Sequence, residues 1–430
     1  MASGSFVLKG NICHSKSPTA FETAARGYVV CVDGVSQGVF ASLPEAYRDL
    51  PARDCGDCVV VPGFTDLHVH APQFAFRGLG MDLELLEWLE TRTFPEEAAY
   101  GDLDYARRAY AAFVEDVRRG PNTRAVVYAT RHVPATLLLM DMFEASGLVT
   151  MVGKVNMDRN SHAELQEKSA EASVEETVAW LDAISGKYQN TLPILTPRFI
   201  PACTDELMRA IVGMQRERDL PVQSHLSENL GEIAWVRDLC PEAETYGEAY
   251  HQFGLFGGAV PTIMAHCVWP QPKDIRLMKE NGVFVAHCPQ SNSNLSSGIA
   301  PLRQYLKAGI KVGLGSDVAG GCHTSIFRAM ADAIQVSKLR WRLVEEADEP
   351  ITVNEAFYLG TKGSGSFFGK VGSFEKGYAF DALVVDDRPL APPEALPIEE
   401  RLARLIYLSD DRHIKAKFID GRSISLAGKL

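Results

Sequence analysis

Eight compact apolar runs, most followed by a longer segment of helical periodicity, constrain this chain more than any other feature. The runs are FTDLHVH (64–70), RAVVYAT (124–130), TMVGKVNMD (150–158), LPILTPRF (192–199), PVQSHLS (221–227), TIMAHCV (262–268), GVFVAHCP (282–289) and IKVGLGSD (310–317). Between them, DLELLEWLET, TDELMRAIVGMQRER and PLRQYLKAG space their apolar residues as amphipathic helices do. Strand–helix alternation of this kind predicts an α/β fold with a parallel sheet. Eight such units predict a closed (β/α)8 barrel of the TIM type, with an open doubly wound sheet as the rival.

The strand ends favour the barrel. Nearly every run finishes on a polar or charged side chain: His70, the Thr130-Arg131-His132 group, Asp158, Arg198, His225, His266, His287 and Asp317. In a closed barrel the C-terminal strand ends surround one mouth, where reactive groups gather. Residues as distant in sequence as His68 and Asp317 then converge.

The two ends of the chain read differently. FVLKGNIC, YVVCVDG, VSQGVF and CVVVPG at the start, and FEKGYAFDALVVDD and KAKFIDGRSIS at the finish, are short strands broken by turn residues. They predict a small β-sandwich domain built from 1–63 and 375–430, with the barrel over 64–374.

A net charge of −12 speaks against a nucleic-acid backbone or an anionic membrane surface as partner. Neither a signal-peptide core nor an apolar run of membrane-spanning length is present. The nine cysteines are scattered and odd in number, as expected of reduced thiols in a cytoplasm. Cys55-Gly-Asp-Cys58 reads as a loop with accidental C-x-x-C spacing, because no second ligand pair stands at zinc-binding distance.

His68 and His70 are two apart on one strand, so their side chains share a face and can hold one ion. Such a pair alone is weak evidence, since histidine is also a common half-buried hydrogen-bonding residue. His225, His266 and Asp317 at later strand ends complete a donor set suited to Zn²⁺ or Fe²⁺ with a position left open. Asp317 beside the ion can accept a proton from water. Glu228, in the turn after His225, can donate one to a substrate ring, and His266 can stabilise charge on the attacking oxygen. The structural readings stay open here: Asp317 and Glu228 as helix caps, His266 and His287 as core histidines. His287 carries no assigned role.

PGFTDLHVHAPQ, SHLSEN, MAHC and GLGSDVAGG together resemble the amidohydrolase superfamily. HAPQFAFRG, LLEWLE followed by TFP, VGKVNMDRN, TPRF, SHLSEN and SDVAGG resemble the guanine deaminases more narrowly. Pro72 departs from the serine frequent in related sequences, while the adjoining Gln73 is kept. The resemblance implies one zinc per chain on His68, His70, His225 and Asp317, with His266 near the water. Pro197-Arg198-Phe199 lacks the lysine that two-metal relatives carry there. The resemblance further implies a homodimer that turns guanine and water into xanthine and ammonia, with guanine held by Gln73, Arg198, Phe199, His225 and Glu228. The chemistry agrees: a guanidinium fork suits the O6/N7 edge of guanine, an amide both donates and accepts, and a phenyl ring offers a wall. Arg198 as a rim ion pair and Phe199 as plain packing are the structural alternatives. Two other functions stay in view: an aminohydrolase for a modified guanine, another purine or a triazine, and a barrel scaffold without chemistry.

Overall fold

The computed structural model describes residues 4–426. Strands form at all eight central runs. Phe64–His70, Asn122–Tyr128, Val149–Gly153 and Thr191–Pro193 make one four-stranded parallel sheet. Val222–Leu226, Thr262–His266, Phe284–His287 and Lys311–Leu314 make a second. Val155–Asn156 and Thr196–Pro197 add a short two-stranded parallel pair, so regular pairing runs as two four-stranded sheets and this pair, where a single ring is expected. One break coincides with Pro193, Pro197 and Pro221, whose missing N–H groups cannot extend a ladder. The sheets still meet across it: Leu195 N donates to Pro221 O at 2.9 Å, and Gln223 N to Leu195 O at 3.0 Å. At the other seam Asp317 N donates to His68 O at 2.8 Å, and His70 N to Val318 O at 3.2 Å.

Several of the longer helices combine an apolar stripe with a capped start. Leu103–Arg119 buries Ala106, Tyr110, Phe113, Val114 and Val117, and the Asp102 carboxylate caps its N-terminus. Asp205–Arg218 is capped by the Thr204 hydroxyl. Among the described residues no helix is long and apolar enough to cross a membrane.

Both chain ends enter one seven-stranded sheet in the order Arg422–Ile424, Ile414–Ile419, Ala382–Val385, Ala52–Pro62, Phe6–Ser17, Ala20–Val32, Val35–Phe40. Its last strand returns to the C-terminal segment, where Ser36 N donates to Tyr378 O and Gly377 N to Ser36 O, both at 2.8 Å. The sheet thus curls over its own core of Leu8, Ile12, Val29, Val60, Phe380 and Phe418. Cys55 and Cys58, expected in a loop, lie within the bounds of strand Ala52–Pro62, at a bulge where pairing with Phe6–Ser17 is interrupted between Asp54 and Val59. All nine cysteines are free.

Buried polar contacts tie this sheet to the central strands. Arg124 Nε donates to Asp381 Oδ2 at 2.8 Å, and its Nη2 to Asp420 Oδ1 at 2.6 Å. Lys417 Nζ donates to the carbonyls of Val117, Arg118 and Gly120, at the C-terminal end of helix Leu103–Arg119. Asp381→Ala leaves the Arg124 guanidinium with only the partly exposed Asp420, and is expected to cost about 3–5 kcal/mol of stability. Urea denaturation measures this; a loss under about 1 kcal/mol would mean that the pair contributes no more than a surface one.

Candidate active site

His68, His70, His225, His266 and Asp317 meet at one end of the two parallel sheets. His68 Nε2 lies 3.2 Å from His70 Nε2, which lies 3.3 Å from His225 Nε2. Asp317 Oδ1 is 3.1 Å from His68 Nε2 and 3.5 Å from His70 Nε2. Burial lowers the pKa values of all three imidazoles and so favours the neutral forms, in which lone pairs face one another. That is unfavourable unless a cation sits among them. The spacing fits one: tetrahedral ligands ~2.0–2.1 Å from an ion stand roughly 3.3–3.4 Å apart. Each donor atom of His68, His70 and His225 lies within 4.8 Å of the others. His225 Nδ1 donates to Arg198 O at 2.6 Å, which leaves Nε2 as the free donor atom.

Burial opposes ionisation of Asp317, but the surrounding His68 and His266 rings outweigh it and hold the carboxyl well below its ordinary range. Its side chain is therefore an anion aimed at the histidines, not a helix cap. Its backbone is left-handed, φ 47°, as are Ser227 at 49°, His266 at 69° and Cys267 at 48°. Four non-glycine residues in this uncommon region, all at strand ends around one point, mark stored backbone strain of the sort found at functional sites.

Glu228 also escapes the capping role. Helix Leu230–Leu239 is capped by Asn229, with Glu232 returning to the Asn229 backbone in a capping box. Glu232 Oε2 also accepts from Glu228 N at 2.9 Å. The Glu228 carboxyl is thereby free to point inward, 3.3 Å from His266 Nε2. Burial, reinforced by the Asp317 and Glu232 carboxylates, raises its pKa well above the ordinary range, which favours the protonated form. The two neighbouring carboxyls thus divide into an acid and a base. Asn292 Oδ1 lies 2.9 Å from His266 Nδ1 and fixes the proton there, leaving His266 Nε2 as an acceptor.

Across the cavity stand the residues expected to recognise a base. His70, Gln73, Arg198, Phe199, His225, Glu228, His266 and Asp317 line one pocket, together with Leu85, Trp88, Leu89, Glu232 and Leu295. Every expected site residue is in that pocket except His68, which lies beneath it. Arg198 is ion-paired, and its partner is buried: Glu97 accepts from Nη1 at 2.5 Å and from Nη2 at 3.1 Å. Phe199 meets Trp235 edge-on with ring centroids 6.3 Å apart. His287 is buried, and neither ring nitrogen has a partner among the described residues.

Four participants were not foreseen. Glu97 lies in TFPEE, where nothing local distinguishes it from the adjacent Glu96. Asn292 lay in a segment with no helical apolar stripe. Glu232 carried a capping-box signal that pointed to local structure only. Cys288 follows His287, and its sulfur lies within 4.8 Å of donor atoms of His68, His266 and Asp317. Gly315 makes that approach possible, since a Cβ there would stand 2.8 Å from Cys288 Sγ and 2.9 Å from His68 Cβ.

Residues 59–424 match the model of the Amidohydrolase family. The chain belongs to the amidohydrolase family. Within it, similarity runs to guanine deaminases. That of Dictyostelium discoideum is 39% identical over 379 residues, spanning 86% of this chain and 83% of the relative. The human enzyme is 35% identical over 377 residues, spanning 85% and 82%. The crystal structure of guanine deaminase from C. acetobutylicum with bound guanine in the active site has a TM-score of 0.95 and 44% identity, covering 98% of this chain and 100% of that one.

The histidine–aspartate arrangement predicts stoichiometric divalent metal in the purified protein, lost in His70→Ala, as read by elemental analysis. Asn292→Ala is expected to keep the metal while turnover falls by about tenfold, since the His266 tautomer is no longer held. Unchanged turnover would remove Asn292 from the site's function.

Proposed function

We propose that this chain hydrolyses guanine to xanthine and ammonia. One observation carries the reading: a single pocket joins the histidine–aspartate centre, two carboxyls whose pKa values are shifted in opposite directions, and the Gln73–Arg198–Phe199 wall. The guanine held in the active site of the C. acetobutylicum relative supports the choice of base. The hydrogen bonds at both seams support reading the two parallel sheets as one closed (β/α)8 barrel over 64–374. We likewise read the curled sheet as a small β-sandwich domain from 1–63 and 375–430.

His68, His70, His225 and Asp317 would hold one Zn²⁺; the same nitrogen and oxygen donors also suit Fe²⁺. When bound, zinc brings the pKa of a water in its shell to ~7 and so supplies hydroxide at neutral pH. The remaining steps belong to side chains. Asp317, ionised, takes a proton from the attacking water. Glu228, protonated, gives its proton to the ring nitrogen beside the amino-bearing carbon as that carbon becomes tetrahedral. His266 orients the water by accepting at Nε2, a role that differs from the charge stabilisation expected of it. Asp317 then passes its proton to the amino nitrogen, which leaves as ammonia. Glu228 recovers a proton from the new hydroxyl as the carbonyl forms. One water proton ends on ammonia by way of Asp317, and the other replaces the proton that Glu228 gave to the ring nitrogen, so the step balances.

Steady-state assays with guanine, 8-oxoguanine, adenine and cytosine test the substrate, and negligible turnover of guanine would overturn the proposal. Glu228→Gln is expected to retain metal while kcat drops ~10²-fold or more. Because the protonated form of Glu228 acts, wild-type kcat should fall as pH rises through its elevated pKa. That alkaline limb should disappear in Glu228→Gln.

A further inference from the structure

Glu97 takes no part in the chemistry above, yet it is the hub of the recognition wall. It lies in the short helix Phe94–Ala99 and is 2% exposed. Its two carboxylate oxygens receive three N–H groups: Gln73 Nε2 at 2.9 Å and Arg198 Nη2 at 3.1 Å on Oε1, and Arg198 Nη1 at 2.5 Å on Oε2. Gln73 is held at its other end as well, because its Oε1 accepts from Ala319 N at 3.1 Å. The amide cannot flip without breaking both contacts. The Arg198 guanidinium lies over the Phe94 ring, 5.1 Å from its centroid, so the same short helix supplies both the carboxylate and the aromatic floor.

Two consequences follow from charge and valence. Arg198 has five N–H donors and Glu97 engages two nitrogens end-on, so other donors of the fork and the second amide hydrogen of Gln73 are left for the cavity. Donors alone then face the ligand, a surface suited to carbonyl and ring-nitrogen acceptors. Arg198 is also charge-neutralised within a buried site. An unpaired buried guanidinium would draw anions; paired to Glu97, Arg198 offers an anion no net gain against its desolvation.

We propose that Glu97 is a positioning and specificity-determining residue that makes Gln73 and Arg198 one electrically neutral donor edge, selecting uncharged purines over purine anions. The inference rests on the proposed guanine site and concerns how that site chooses.

The probes are 8-oxoguanine and urate, which share a carbonyl at C8, the first neutral and the second a monoanion at neutral pH. Their affinities for the metal-loaded protein are measured by calorimetry, beside KM and kcat for guanine. Wild type should bind 8-oxoguanine more tightly than urate. Glu97→Gln leaves Arg198 positive, so the affinity ratio should move toward urate by about tenfold or more. KM for guanine should rise about tenfold and kcat change less than about threefold, because the reacting groups are untouched. Glu97→Asp keeps the charge but shortens the reach; it should weaken both probes without moving the ratio toward urate. Parallel weakening of both probes in Glu97→Gln, or a wild type that prefers urate, would overturn the inference. A wild type that binds neutral purines selectively but does not turn over guanine would overturn the proposed function and leave this inference standing.

Discussion

The seam between strand Phe64–His70 and the segment after Lys311–Leu314 is the contact on which the rest of the site depends. Asp66 is buried there and accepts from His68 N, Ser316 N and Ser316 Oγ, joining positions 250 apart in sequence. Burial raises its pKa to about 7, the cost of placing a carboxyl where it can gather these donors. Asp317 N to His68 O and His70 N to Val318 O continue the same junction. Through it, one seam sets the separation of His68, His70 and Asp317. The left-handed backbone at Asp317 persists because these contacts over-determine it.

Around that junction the site is organised by buried polar groups that themselves do no chemistry. Glu97 holds Gln73 and Arg198, Asn292 holds His266, and the Arg198 carbonyl holds His225. Glu232 and Asn229 cap the helix that follows Glu228, and so release the Glu228 carboxyl to the pocket. Each contact sits where an unpaired polar atom is costly, which makes the arrangement specific as well as stable. The outcome is electrostatic division of labour. The pKa values of two carboxyls that both face His266 Nε2 are pushed in opposite directions, because histidines surround Asp317 while burial and neighbouring carboxylates dominate at Glu228.

Much of this was legible residue by residue. The eight strands formed where compact apolar runs stood, and helix Asp205–Arg218 formed where TDELMRAIVGMQRER shows its stripe. The side chains expected at the metal centre and the recognition wall are brought together. What could not be read were partners without a local signature. Glu97 differs from Glu96 only in environment: one meets Arg198, the other the Tyr105 hydroxyl. Cys288 stood beside a histidine whose ring nitrogens have no partner among the described residues, while its own sulfur approached His68. Cys55 and Cys58 sit at a bulge rather than in a connecting loop, because pairing with Phe6–Ser17 resumes at Val59, a partnership absent from the local pattern.

Sequence alone determined which residues form strands and which strand ends carry histidine, carboxylate or guanidinium, since hydrophobic period and residue type are local properties. Tertiary structure decided which of those groups stay free to act. Whether Asp317 caps a helix or faces three histidines, and whether Arg198 is a bare cation or half of a neutral pair, depends on partners far away along the chain. Their burial together sets both the proton positions and the charge that a ligand meets.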